Sequence, residues 1–165
     1  MGLPALKNEH RLTKRIIEAI PPDKGDYRPD PASMSALDLA WHMATAEHLF
    51  LDAIASGKFD FKPAPRPDSL RSGADVAAWY AESFETNFNR LTQLSTEQLL
   101  QMVDFRGMFQ FPAILYLQFS MNHIIHHRGQ LSAYLRPMGA KVPSIYGDSY
   151  DDAQARKAAA QTTGA

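Results

Sequence analysis

His123-Ile124-Ile125-His126-His127-Arg128-Gly129-Gln130 lies near the end of an apolar segment, Pro112 to Leu135, whose pattern predicts one long helix. His123 and His127 stand four residues apart in it. Residues at that spacing lie one above the other on a helix face, with Cβ atoms roughly 5–6 Å apart, so two imidazoles can reach one metal ion. A lone histidine on an apolar face is more often a hydrogen-bonded core residue. Two in register inside one apolar helix favour a ligand pair.

The same helix is apolar around much of its girth. Tyr116, Phe119, Ser120, His123, His127, Gln130, Leu131 and Tyr134 form one face, and Leu117, Met121, Ile124 and Leu135 another. Such a helix packs on two sides, within a bundle or against a second subunit. A two-fold homodimer is the expectation, through the Leu117, Met121 and Ile124 side or a neighbouring helix face. Pro112 suits the first turn, and Arg136-Pro137-Met138-Gly139 ends the helix.

Working outward, Ala36 to Ser56 is predicted as another helix, with Ser35 as N-cap and Gly57 as C-cap. At 100° per residue, Leu39, His42, Met43, Ala46, Leu49, Phe50 and Ala53 make one apolar stripe. His42 lies inside the stripe. His48 lies well off it, as a surface or interface residue. Leu3 to Ile20 and Asp75 to Leu94 are two further helices, the first stopped by Pro21-Pro22. Val103 to Phe111 alternates around Arg106-Gly107 and is expected to form a short hairpin or extended loop.

Four long amphipathic segments predict an all-α four-helix bundle, residues 1–152, as a single domain. Pro21 to Met34 and Lys58 to Ser72 are too long for tight turns, so crossover connections are expected. Ala153 to Ala165 is Ala-rich and either frays or forms a weak terminal helix.

Composition narrows the function. The chain has 165 residues and is 45% hydrophobic, enough for one core. Its 17 basic and 18 acidic residues leave a net charge of −1, which advertises no nucleic-acid partner. No apolar run is long enough to span a bilayer and no leader pattern opens the chain, so a cytoplasmic location is the default. There is no Cys, so any metal must be held by His and carboxylate.

In such a bundle His42 on the second helix can face His123 and His127 on the fourth. Three neutral imidazoles with open positions make a catalytic type of site, because a closed structural site needs a fourth protein ligand. His126 is the competing ligand, about 60° off His123 and about 100° off His127 in projection, and ranks as a pocket residue. His10 approaches the core and ranks lowest as a fourth ligand. The pocket above the metal is expected to be lined by Tyr116, Phe119, Ser120, Gln130 and Tyr134, with His126 or Arg128 supplying positive charge.

These residues carry a resemblance. Ser35-Ala36-Leu37-Asp38-Leu39-Ala40-Trp41-His42-Met43, Asn122-His123-Ile124-Ile125-His126-His127-Arg128-Gly129-Gln130, and Leu135-Arg136-Pro137-Met138-Gly139 followed by Val142-Pro143-Ser144-Ile145-Tyr146-Gly147 resemble the DinB/YfiT-like superfamily of small metalloenzymes, over roughly Leu3 to Asp151. The resemblance implies a bundle with crossed helix order, often a homodimer. It implies one divalent metal ion, nickel or zinc, on three His that land on His42, His123 and His127. It also implies a candidate activity, thiol-dependent S-transfer with a small-molecule thiol and an electrophile. The alternatives are a non-catalytic metal-binding stress-response dimer and a metal-dependent hydrolase. A metal-free bundle with buried histidines is the bland reading.

Overall fold

Serine side chains start three of the helices. Ser35 Oγ accepts from the Asp38 amide at 3.1 Å, while Ser72 with Asp75 and Ser95 with Gln98 form reciprocal capping boxes. The protein is described here as a computed structural model covering residues 2–163. Its elements are α1 (Leu3–Glu18), α2 (Ala36–Ser56), α3 (Gly73–Leu91), α4 (Thr96–Leu100), β1 (Met102–Phe105), β2 (Phe109–Pro112), a 3-10 turn (Ala113–Leu115), α5 (Tyr116–Leu135) and α6 (Tyr150–Thr163). Gly57 closes α2 at φ 75°, the left-handed conformation for which glycine has no Cβ penalty.

The four long helices form the all-α bundle. α1 and α2 each pack against both α3 and α5, so the cyclic order is α1, α3, α2, α5. The connections that cross the bundle are therefore residues 19–35 and 92–115. The expectation that the connector from Lys58 to Ser72 also crosses is corrected, because α2 and α3 are neighbours. That connector instead runs along α2, where Ala64 O accepts from Trp41 Nε1 at 2.7 Å. The hairpin forms where alternation placed it, with Val103 opposite Phe111 and Phe105 opposite Phe109. Arg106 and Gly107 turn at φ 56° and 69°, and the Gly107 amide donates to Asp104 Oδ2 at 2.8 Å.

The core divides into two apolar clusters. One joins Ile16, Ile17, Leu39, Met43, Val76, Leu131 and Leu135, and the other joins Leu6, Leu51, Ile54, Phe84, Phe88, Tyr116 and Leu117. Leu117, Met121 and Ile124, the face expected to meet a second subunit, are buried within the chain. α1 packs on α5 and absorbs that apolar girth, so a homodimer would have to use another surface.

Between the clusters lie charges that periodicity did not flag. Arg128 is 1% exposed, and its guanidinium pairs with Glu9 Oε2 at 2.8 Å and donates to Tyr146 Oη at 2.5 Å. The Tyr146 hydroxyl in turn donates to Glu9 Oε2 at 2.7 Å. Arg128 is thus a bundle staple and not a pocket cation, which corrects that expectation. His10 is likewise occupied, bonded to Glu47 at 2.8 Å and stacked on Phe84 at 3.8 Å. A buried charge is tolerated only when paired and hydrogen-bonded, and these pairs satisfy that demand.

α1 and α3 approach closely where α3 begins. A Cβ on Gly73 would lie 2.4 Å from the Ile17 carbonyl oxygen and 2.9 Å from Ile20 Cβ. Backbone cannot yield as a flexible side chain can, so Gly73→Ala is expected to cost about 1–3 kcal/mol by overpacking. The urea midpoint should fall with the slope unchanged. An unaltered midpoint would contradict so close an approach.

α6 carries the C-terminal segment. Asp151 accepts from the Val142 amide at 2.9 Å and Asp152 from the Ser144 amide at 3.0 Å. Of the expected weak tail, the described part is helical through Thr163, and residues 164–165 lie outside the described residues.

Candidate metal centre

His42 comes from α2 and His123 and His127 from successive turns of α5, so the packing of these two helices assembles the trio. The ring centroids lie 4.9 Å apart for His42 and His123, 4.7 Å for His42 and His127, and 4.4 Å for His123 and His127. One ring nitrogen of each falls within 4.8 Å of the others, a cluster able to hold a metal ion. His42 Nε2 and His123 Nε2 face each other at 3.1 Å.

The donor set fits a divalent cation on its chemistry. All three side chains are partly buried, and among the described residues no carboxylate joins the cluster. Burial lowers the His42 pKa, with the charge of His127 adding to the effect. Burial likewise pushes His123 down to about 4, helped by His127, His42 and His126. Neutral imidazole is the form that ligates. His127 Nδ1 lies 2.8 Å from Gln130 Oε1, which can only accept, so the proton sits on Nδ1 and the Nε2 lone pair stays free. His123 Nδ1 is buried without a hydrogen-bond partner among the described residues.

The depressed pKa values set a pH dependence for the metal-free chain. The unfolded chain takes up protons on these histidines below about pH 6.5, whereas folded His123 stays neutral until about 4. The unfolded state therefore binds more protons between those limits, and stability rises with pH across them. Acidification from about pH 6.5 towards 4 should erode stability, with a limiting slope of about 1.4 kcal/mol per pH unit for each such proton. Urea titrations of chelated protein across this range should show a flatter profile for His123→Gln. Identical pH profiles for the two proteins would contradict the account.

The remaining site expectations fare unevenly. Gln130 orients His127 and does not line a wall, and His126 is exposed beside the trio, its ring 4.8 Å from that of His127. Tyr116 is buried with its hydroxyl donating to Val103 O at 2.9 Å, and Tyr134 packs edge-on to Tyr27 in the core. Phe119 is 41% exposed and stacks on Phe109 and Phe111 of the hairpin. Ser120 is wholly buried, its hydroxyl unpartnered among the described residues.

The open space beside the trio lies elsewhere. A groove of about 270 Å³ is bounded by His42, Thr45, Ala46, His48 and Leu49 of α2 and by Asp60, Lys62 and Ala64 of the connector. Sequence reasoning missed it because the connector has no periodicity that reveals which helix it lies along. The only prior sign was its charged and proline-rich composition.

The fold and site define an all-helical bundle with a three-histidine cluster spanning two of its helices. The chain belongs to the DinB family, whose sequence profile matches residues 3–162. It is 33% identical over 133 residues to YjoA of Bacillus subtilis, covering 79% of this chain and 84% of that protein. A shorter match, 36% over 61 residues, reaches YrdA of the same organism and covers 37% of this chain and 36% of YrdA. The crystal structure of DinB-like YjoA superposes with a TM-score of 0.68 at 29% identity, covering 84% of this chain and 92% of that one. A DinB-like protein from Bacillus cereus superposes at 0.75 with 24% identity, over 87% and 95% of the two chains, a likeness of fold. Among the described residues no helix is long and apolar enough to cross a membrane.

Proposed function

We propose that the chain binds one divalent ion, nickel or zinc, through His42, His123 and His127, and acts as a thiol-dependent S-transferase on a small electrophile. The observation that carries this reading is the convergence of three histidines, with no fourth protein ligand among the described residues, beside a groove that one of them lines. Three ligands with open positions are the catalytic pattern, whereas structural sites close with four.

A divalent ion held there supplies Lewis acidity, which lowers the pKa of a thiol within its reach. The chain itself does the rest. Burial keeps His42 and His123 neutral, and Gln130 fixes the tautomer of His127. Ala46 and Leu49 give the groove an apolar wall. With no Cys in the chain, the attacking sulfur comes from the cosubstrate. The S–H bond breaks with its proton passing to water, and a sulfur–carbon bond forms as the electrophile's leaving group departs.

The test is a panel of small thiols with 1-chloro-2,4-dinitrobenzene, comparing metal-loaded protein, apo protein and His123→Ala. Conjugation by loaded protein should exceed that by apo protein and by the same concentration of free metal ion. Equal rates in all three with every thiol would remove the transferase reading and favour the metal-binding or hydrolytic alternatives.

A further inference from the structure

We propose that the groove beside the histidine trio is a recognition site for the zwitterionic, amino-acid-like end of a small molecule, with His48 Nε2–H and the Lys62 ammonium as donors to its carboxylate. This rests on the proposed function in one respect, that the other end of the ligand carries the reacting sulfur.

The argument begins with a buried amide. Asn87 is fully buried on α3, and its Oδ1 accepts from Arg90 Nη1 at 2.9 Å. Arg90 Nη1 is itself held by Asp52 Oδ1 at 2.5 Å. Arg90 can only donate, so the Asn87 amide cannot be reversed, and its NH2 group faces His48 Nδ1 at 2.9 Å. His48 Nδ1 therefore accepts, and in the neutral ring the proton lies on Nε2. Ser83 Oγ, 2.7 Å from the same nitrogen, further fills that side of the ring. Among the described residues nothing binds Nε2, and the exposed His48 ring forms part of the groove wall. A four-residue chain of hydrogen bonds behind one exposed histidine fixes its donor direction, which mere solvent exposure would not require.

Across the groove stand Lys62 and Asp60, 2.7 Å apart on the connector. The hydrogen bond that Lys62 donates to Asp60 raises the Lys62 pKa, so the ammonium persists, and its three protons exceed what one carboxylate oxygen occupies. The exposed pair contributes little to stability. It does present adjacent charges of opposite sign, which match a zwitterion better than a simple anion. Thr45 adds no donor to the groove, because its hydroxyl is committed to Trp41 O at 2.9 Å. His48 follows His42 by six residues, so the charged end would sit about 9 Å along α2 from the trio, beyond the length of a minimal thiol.

S-methylglutathione, which has no free thiol, tests the groove alone. With metal-free full-length chain it should bind roughly tenfold or more tightly than its diethyl ester, the difference a charge-assisted hydrogen bond produces. The gap should collapse to within about twofold in His48→Ala and in Lys62→Ala. In ¹⁵N-histidine NMR His48 should show the Nε2–H tautomer, with its Nε2 resonance shifting on addition of S-methylglutathione. Equal binding of acid and ester, a gap that survives both substitutions, or an Nδ1–H tautomer would overturn the proposal. Glutathione and 2-mercaptoethanol, titrated into metal-loaded and apo chain, separately test the thiol reading. If neither prefers the loaded protein that reading fails, while the S-methylglutathione result still decides the groove.

Discussion

His123→Ala is expected to abolish stoichiometric metal binding. The His123 ring lies next to both His42 and His127. Its loss leaves two imidazoles on adjacent helices, with no carboxylate among the described residues to complete the cluster. The orienting contact should matter less. Gln130→Ala frees the His127 tautomer and should weaken the metal by about 10–100-fold, the usual effect of removing a ligand's hydrogen-bond partner. His126→Ala should retain full occupancy, because its exposed ring lies outside the cluster. Elemental analysis of protein purified without chelator or affinity tag, followed by competition titration, measures all three. A full metal equivalent in folded His123→Ala, or its loss in His126→Ala, would reassign the ligands.

The largest effect on stability is expected from Arg128→Met. Removing the guanidinium leaves the Glu9 carboxylate, and the Tyr146 hydroxyl bonded to it, without their cation. Breaking a buried pair from one side costs about 3–5 kcal/mol, since an uncompensated charge stays behind. For a chain of this size that lowers the melting temperature by roughly 10 °C or more. The double variant Arg128→Met with Glu9→Gln should recover much of the loss, because the stranded charge is gone. If Arg128→Met melts within about 2 °C of the parent, the pair is not the staple its burial suggests.

The halves of the two sites differ in how far they could be read along the chain. His123 and His127 belong to one helix, and their shared face follows from the 3.6-residue repeat alone. The same arithmetic separated His42 from His48, and short-range chemistry located the Ser35 cap, the Gly57 stop and the hairpin about Arg106-Gly107. Glu9 and Glu47 defeat such reasoning. Each is a charged residue on an amphipathic helix, where a solvated position is the default, yet both are buried. The partner of Glu47, His10, lies 37 residues away, and Arg128 reaches the Glu9 backbone across 119.

By itself, then, the order of residues determined what each helix offers: its apolar stripe, its ends and the direction of its histidines about its own axis. These are local properties, fixed by backbone geometry and by contacts within a turn or two. Tertiary structure alone decided what meets what. It laid α1 over Leu117, Met121 and Ile124, drew Arg128 inward to Glu9, and set the connector bearing Asp60 and Lys62 beside His42. The physical reason is that burial and pairing depend on all helices at once. A charge is stable inside only where its counter-charge arrives from another element, and an apolar face needs no second subunit once a helix of the same chain covers it.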